Sequence, residues 1–186
     1  VESIKAYGPD AIDAVPALVD LLNKLNENDG LSRVNVAQTL ATIDPKNELV
    51  LAKLIEILER ENDSTARHVA ATTLGQLGDH AKAAVPALLK AMIDAPDHLR
   101  VQAALAVWRL TGDAESVLPT LHETLDGPAS QSAIEVVREM GLAAKPLVLD
   151  LIKVGNKMGE QDRGFLHMRE LIKSLDPDGT PKRSRR

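Results

Sequence analysis

Any chemistry in this sequence has to start from its five histidines and the carboxylates near them. His122-Glu123 is the single His-Glu pair; His68, His80, His98 and His167 have no adjacent glutamate. A helical zinc site of the His-Glu-x-x-His kind needs a second imidazole one turn after the first, so that both nitrogens meet one ion. In His122-Glu123-Thr124-Leu125-Asp126 that place is held by Asp126, which reads better as a helix cap. The chain has no cysteine, hence no thiolate ligand, no Cys nucleophile and no disulfide. A Gly-rich phosphate loop, a Gly-x-Ser-x-Gly elbow and a Ser/His/Asp constellation are all missing from the sequence. Asn62-Asp63-Ser64 fits the glycosylation sequon, which matters only in a eukaryotic secretory setting. The expectation is a non-enzyme with no catalytic, cofactor-binding or metal-binding residue.

Composition narrows the classes further. Apolar residues make up 44% of the 186-residue chain but aromatics only 2%, so a core must be built from Leu, Ile, Val and Ala. Ala and Leu favour helices and close helix packing. No Asn-Gly or Asp-Gly hairpin signal joins alternating strands, and no sheet is expected. The net charge of −5 argues against nucleic acid, where affinity comes from clustered Lys and Arg on phosphates. No apolar run is long enough to span a membrane. The compartment is unknown from the sequence, with a cytoplasmic location favoured.

The residues that remain are positioned by a repeat. Gly8-Pro9-Asp10-Ala11-Ile12-Asp13-Ala14-Val15-Pro16-Ala17-Leu18 returns as Gly78-Asp79-His80-Ala81-Lys82-Ala83-Ala84-Val85-Pro86-Ala87-Leu88. Related phrases are anchored at Ala52, Pro119 and Pro146, so the period is about 27 to 36 residues, long enough for two helices and two turns. Proline inside a helix removes a hydrogen bond and bends or interrupts it. At one place in four of five copies, it predicts that each first helix bends or restarts there. Apolar residues at offsets 3, 4, 7 and 10 from Arg33, Arg67 and Arg100 define the packed face of each second helix. Gly8, Gly78, Gly112 and Gly141 are placed to end those helices.

Acidic residues recur at the second-helix starts: Asp29, Asp63, Asp97 and Asp126. A carboxylate there can cap free amides and sits at the positive end of the dipole. With the arginines they form a candidate structural ladder, Asp29–Arg33, Asp63–Arg67 and Asp97–Arg100, joining neighbouring repeats through bidentate pairs. An anion-binding row of arginines is the alternative use of the same residues.

Short helix pairs, a proline-marked first helix, an Asp-x-x-x-Arg junction and a Gly terminator resemble HEAT repeats. The variety is similar to the bacterial HEAT-like repeats named after phycobilisome lyases. The resemblance implies an all-α, right-handed α-solenoid of about five helix pairs, at about 9–44, 45–78, 79–112, 113–141 and 142–176. Residues 1–8 read as the end of a preceding repeat, so that 1–176 is one repeat domain and part of a longer array is the expectation; residues 177–186 read as a disordered basic tail. The fifth unit departs from the pattern, with a charged connection after Gly155 and a second helix carrying Phe165 and Met168, as a terminal cap would.

The resemblance further implies that second helices line a concave side. Offsets 2, 5 and 9 from the junction arginine point away from the packed face and give Asn35, Gln38 and Thr42, then Val69, Thr72 and Gln76, then Gln102, Leu105 and Arg109. Ser132, Glu135 and Glu139 follow in the fourth unit. A partly polar strip of this kind suits a protein or peptide partner. The expected function is a non-catalytic interaction scaffold, a monomer or a module of a larger chain. The alternative is a HEAT-like lyase, or lyase-related chaperone, acting on a chromophore-bearing protein. HEAT-like di-iron hydroxylases use several His-Glu pairs, and HEAT-like DNA glycosylases a basic, aromatic groove; neither pattern is present. Trp108, the sole tryptophan, falls opposite Gly75 of the preceding unit and is expected to pack there, with an exposed hot spot as the alternative.

Overall fold

Glycine and proline positions cut the chain into short helices joined by tight turns. The computed structural model describes residues 8–25, 29–157 and 163–177. The expected helix tail at 1–7, much of the charged connection after Gly155 and the basic tail beyond Pro177 lie outside the described residues, as does the Phe165 side chain. The α-helices are α1 (Val15–Lys24), α2 (Gly30–Ile43), α3 (Glu48–Arg60), α4 (Ser64–Gln76) and α5 (Val85–Asp94). They continue as α6 (Asp97–Thr111), α7 (Ala114–Thr124), α8 (Ser130–Met140), α9 (Val148–Lys157) and α10 (Arg163–Leu175). The described chain is all-α and holds no strand. It falls into two compact units, Val1–Gly112 and Asp113–Arg186.

The repeated proline is a restart in two copies. Gly78–Ala84 is a 3-10 turn interrupted at Ala81, where φ/ψ of −106/15° leaves the helical region. The α-helix α5 then begins at Val85, with Pro86 in its first turn. The turn Gly8–Ala14 is interrupted at Ala11 in the same way, and Pro16 sits in the first turn of α1. In a first turn the missing N–H of proline costs no helical hydrogen bond. Pro146 lies instead within the 3-10 turn Gly141–Leu147, ahead of α9. Pro119 stands inside α7. One residue therefore marks the start of a helix in two repeats and the interior of one in another. Gly112 ends α6 with φ of +66°, a left-handed geometry that a side chain would strain.

In the first unit the helices pair as hairpins, α1 with α2, α3 with α4 and α5 with α6. The second helices α2, α4 and α6 pack successively on one another, and α3 packs on α5, so two layers form. Between them lie Leu22, Leu40, Leu54, Ile57, Leu58, Leu74 and Leu88, all nearly inaccessible to water. Each such side chain contributes about 1.5–3 kcal/mol by burial. Ala66, Ala70, Ala71, Ala103 and Ala104 are fully buried, which lets the backbones of the second helices approach closely. Gly75 marks the tightest approach. A Cβ built there would stand 2.9 Å from the Ala106 Cα. The expected partner of Gly75, Trp108, is thus replaced by Ala106, because Ala106 is the residue that α6 turns inward at that level. Trp108 itself is half-buried.

The second unit pairs α7 with α8 and α9 with α10, and the 3-10 turn Gly141–Leu147 packs on all four helices. Leu121, Leu125, Val137, Leu151 and Leu175 form its core, and Met168 of α10 is buried with them.

Candidate functional site

Each second helix of the first unit has a first helix on one side and its neighbours above or below. The remaining side faces water. The offsets read from the sequence fall there: Asn35, Thr42, Gln76 and Arg109 are exposed, while Gln38, Val69, Thr72, Gln102 and Leu105 are half-buried. Adjacent packing of α2, α4 and α6 places these residues on a shared face. Glu135 stands on α8, in the second unit, where it is exposed and accepts a hydrogen bond of 3.3 Å from Gln131. Ser132 and Glu139 of α8 are exposed as well.

The chemistry of the face is set by what its side chains have left to offer. Thr42 donates its hydroxyl to the Gln38 carbonyl at 2.9 Å, and Thr72 does the same to His68 at 2.9 Å. With the protons committed to the helix, these threonines offer methyl groups and acceptor lone pairs. Asn35, Gln38, Gln76 and Gln102 carry amides that both donate and accept. Leu105 and Val69 add apolar area between them.

Charge distribution sets this face apart, and the offset-by-offset reading of the sequence missed it. Neither α2 nor α4 contains an Asp or Glu, and α6 has only its first residue, Asp97. The first helices carry acids and bases together: Asp20 with Lys24 on α1, Glu48, Glu56 and Glu59 with Lys53 and Arg60 on α3, and Asp94 with Lys90 on α5. His68 and His98, on neighbouring helices α4 and α6, are both exposed at their positions on this layer. Partial burial, with the nearby His98 adding to it, lowers the pKa of the His68 imidazole below its ordinary value.

The expected Asp–Arg ladder takes a different form. Asp63 caps α4 as anticipated, accepting from the Thr65 and Ala66 amides at 2.8 and 3.4 Å. Asp29 stands at the cap position of α2, but its side chain does not cap the helix amides. Pro96 occupies the cap of α6, which shifts Asp97 into the first turn, where it pairs with Arg100 at 3.3 Å within the same helix. Asp126 does not cap α8, because the turn through Gly127 and Pro128 leaves Ala129 as the cap residue; its carboxylate meets Lys157 of α9. Arg67 and Arg100 donate from Nε to the carbonyls of Leu58 and Met92, at 2.8 and 2.9 Å, and so clip the end of the first helix of their own hairpin.

Arg33 does join two hairpins, through residues the sequence reading did not single out. Its Nη1 lies 2.5 Å from Glu61, and its Nη2 2.8 Å from Glu56, which also takes Lys53 at 2.9 Å. The hydrogen bond from Lys53 lowers the Glu56 pKa below its ordinary value; burial opposes it and Arg33 assists. Gly30 leaves the room, since a Cβ there would approach the Glu61 Oε2 to 3.0 Å. Asn47 and Asp113, the caps of α3 and α7, were also overlooked, although each is an Asn or Asp just before a helical stretch.

His122, the histidine of the one His-Glu pair, bonds through Nδ1 to Asp150 at 2.7 Å, which also takes Lys153 at 2.8 Å. Burial pushes the Asp150 carboxyl up; hydrogen bonds from Lys153 and His122 outweigh it, so that it titrates below its ordinary value. These contacts tie α7 to α9 within the second unit. Among the described residues no three His, Asp or Glu converge as metal ligands would, and no helix is long and apolar enough to cross a membrane.

Comparison with known proteins bears on the repeat itself. No curated protein and no solved structure matches the chain. Residues 51–141 match the family model for HEAT repeats. That segment runs from the first turns of α3 to the end of α8, through helical hairpins of the kind the repeat predicts, and over these residues the chain is similar to HEAT repeats.

Proposed function

We propose that this chain is a non-catalytic interaction scaffold that takes a protein or peptide segment on the open side of α2, α4 and α6. The observation that carries this reading is a run of water-facing amide, threonine and aliphatic side chains at matching offsets on three helices packed side by side. Nearly every other polar residue with a resolved role is spent on structure: Asp63, Asn47 and Asp113 on caps, Arg67 and Arg100 on clips, and Arg33 on joining hairpins. HEAT repeats commonly serve as protein-interaction surfaces, which points the same way. Binding here rests on shape and many modest contacts, and needs no reacting group.

The test is selection of peptides from an unbiased display library on the immobilised chain. Selected peptides are then titrated against wild type and against Gln38→Ala/Thr72→Ala/Leu105→Ala, with circular dichroism confirming the fold. The proposal expects a loss of about tenfold or more in affinity, equivalent to about 1.4 kcal/mol. Peptides that bind the variant as tightly as wild type would refute it.

A further inference from the structure

We infer that the chain associates head to tail, the outer flank of α9 in one copy seating on the outer flank of α1 in a second. The repeat itself supplies the template. Four residues after its anchor at Ala52, Glu56 of α3 takes Arg33 of the preceding hairpin at 2.8 Å. Four after Pro146, Asp150 of α9 takes His122 of the preceding hairpin at 2.7 Å. Each residue advances about 100° around a helix, so the places one, four and five after an anchor share one flank. That flank of a first helix faces the repeat before it. His122, three after Pro119, makes its contact from the opposite flank, which faces the repeat after it.

Within the chain the first of these flanks is covered. Five after their anchors, Ile57 of α3, Ala91 of α5 and Leu151 of α9 are at most 2% exposed; Leu21, at the same place on α1, is 38% exposed. One after the anchor, Ala87 and Leu147 are buried, whereas Ala17 of α1 is exposed. The opposite flank shows the converse. Three after the anchor, Val19 of α1 and Ile55 of α3 are half-buried, whereas Leu149 of α9 is 70% exposed. A terminal unit that ended an array alone would carry polar residues at these places. Here α1 lacks the cover that a preceding hairpin gives, and α9 presents, uncovered, the aliphatic residue that α3 uses at that place. A second copy of this chain therefore holds the matching half.

Charge does not make the selection, because both ends carry both signs. Asp20 and Lys24 stand beside Leu21, while Lys145 and Lys153, beside Leu149, are engaged with Asp176 and Asp150 at 2.9 and 2.8 Å. Register and apolar contact decide it. The two surfaces differ, so the contact is heterologous, and copies add in rows or rings rather than stopping at two. A contact made by few aliphatic side chains is small, which sets the dissociation constant on the order of 100 µM.

The experiment is sedimentation equilibrium of the whole chain from about 10 µM to about 1 mM, a range that brackets this constant. The weight-average mass should climb from the monomer's 20.0 kDa to more than twice that. Leu21→Glu and Leu149→Glu, both at exposed positions, should each stay monomeric. Mixed one to one, they keep one sound flank apiece and should form a dimer that grows no further. Ile93→Glu, on α5 where the side chain is 82% exposed, should associate as wild type does. Circular dichroism checks each fold, and if Leu21→Glu melts early, Ala17→Arg blocks the same flank. Wild type that stays monomeric or stops at a dimer, single variants that still associate, a mixture that stays monomeric or grows past a dimer, or loss of association in Ile93→Glu would each overturn the inference. Monomers throughout would leave the flank of α1 to a different helical hairpin rather than to a second copy.

Discussion

Arg33 of α2 reaches into the next hairpin and holds Glu61 at 2.5 Å, with both side chains about 6% exposed. A buried charge pair contributes little net stability compared with an apolar pair, but removing one member strands the other. Arg33→Ala should therefore cost about 3–5 kcal/mol, leaving the buried Glu61 without its cation while Glu56 keeps Lys53. Arg33→Leu/Glu61→Leu should recover most of that loss. Urea unfolding reads both as shifts of the midpoint at constant slope. A double variant as unstable as the single one would mean that the pair itself is a source of stability.

Two glycines make opposite predictions from the same substitution. At Gly75 a new Cβ meets Ala106 backbone at 2.9 Å, and backbone cannot step aside. Gly75→Ala should destabilise by about 1–3 kcal/mol despite the better helix propensity of alanine. At Gly155 the nearest atom is the Cγ of Met168, 3.3 Å away on a flexible side chain. Gly155→Ala should be near neutral, or stabilising by up to about 1 kcal/mol. Thermal melts of the two variants check the contrast.

The acidic residues that look alike in sequence should differ in effect. Asp63 satisfies two free amides of α4, so Asp63→Ala should cost about 1 kcal/mol. Asp97 makes a partly exposed pair within its own helix, so Asp97→Ala should cost no more than about 0.5 kcal/mol. Chemical denaturation of both variants separates a cap from a surface pair.

Those carboxylates also show why the sequence was legible for the fold and less so for its joints. Periodicity located the helices because Ala66, Ala70, Leu74 and their equivalents must face inward whatever the partner. Gly112 was readable as a terminator because its left-handed φ suits few other residues. The joints depend on one-residue offsets: Pro96 displaces Asp97 by one position and ends its capping role, and Ala106 rather than Trp108 lies over Gly75. The partners of Arg33 were invisible because Glu56 and Glu61 lie 23 and 28 residues away, outside any local motif. At the candidate face the helical offsets fall on exposed or half-buried positions, and the lack of carboxylates within α2 and α4 emerged only when the helices were seen as one layer.

Acid should weaken the two units in different ranges. Burial lowers the His68 pKa from the ordinary 6.5, so the unfolded chain binds the proton more readily. Its contribution is complete above about pH 6.5 and is lost as the pH falls through that value toward the lowered one. Asp150 is also lowered, from 3.8, by Lys153 and His122 against the opposing effect of burial. Its contribution is present above that value and is lost at lower pH, as the carboxyl protonates in the fold. His68→Asn should flatten the first decline and Asp150→Asn the second, in melting temperatures measured from pH 8 to pH 3. An unchanged slope in either variant would remove that group from the account.

The central claim is that ligands contact the open side of the second helices. Site-specific photo-crosslinking tests it most directly, with a benzophenone amino acid placed at Thr72 on α4 or at Glu59 on the outer layer, and a display-selected peptide as the target. The account predicts crosslinks from position 72 that free peptide competes away, and none above background from position 59. Crosslinking from position 59, with none from position 72, would contradict it.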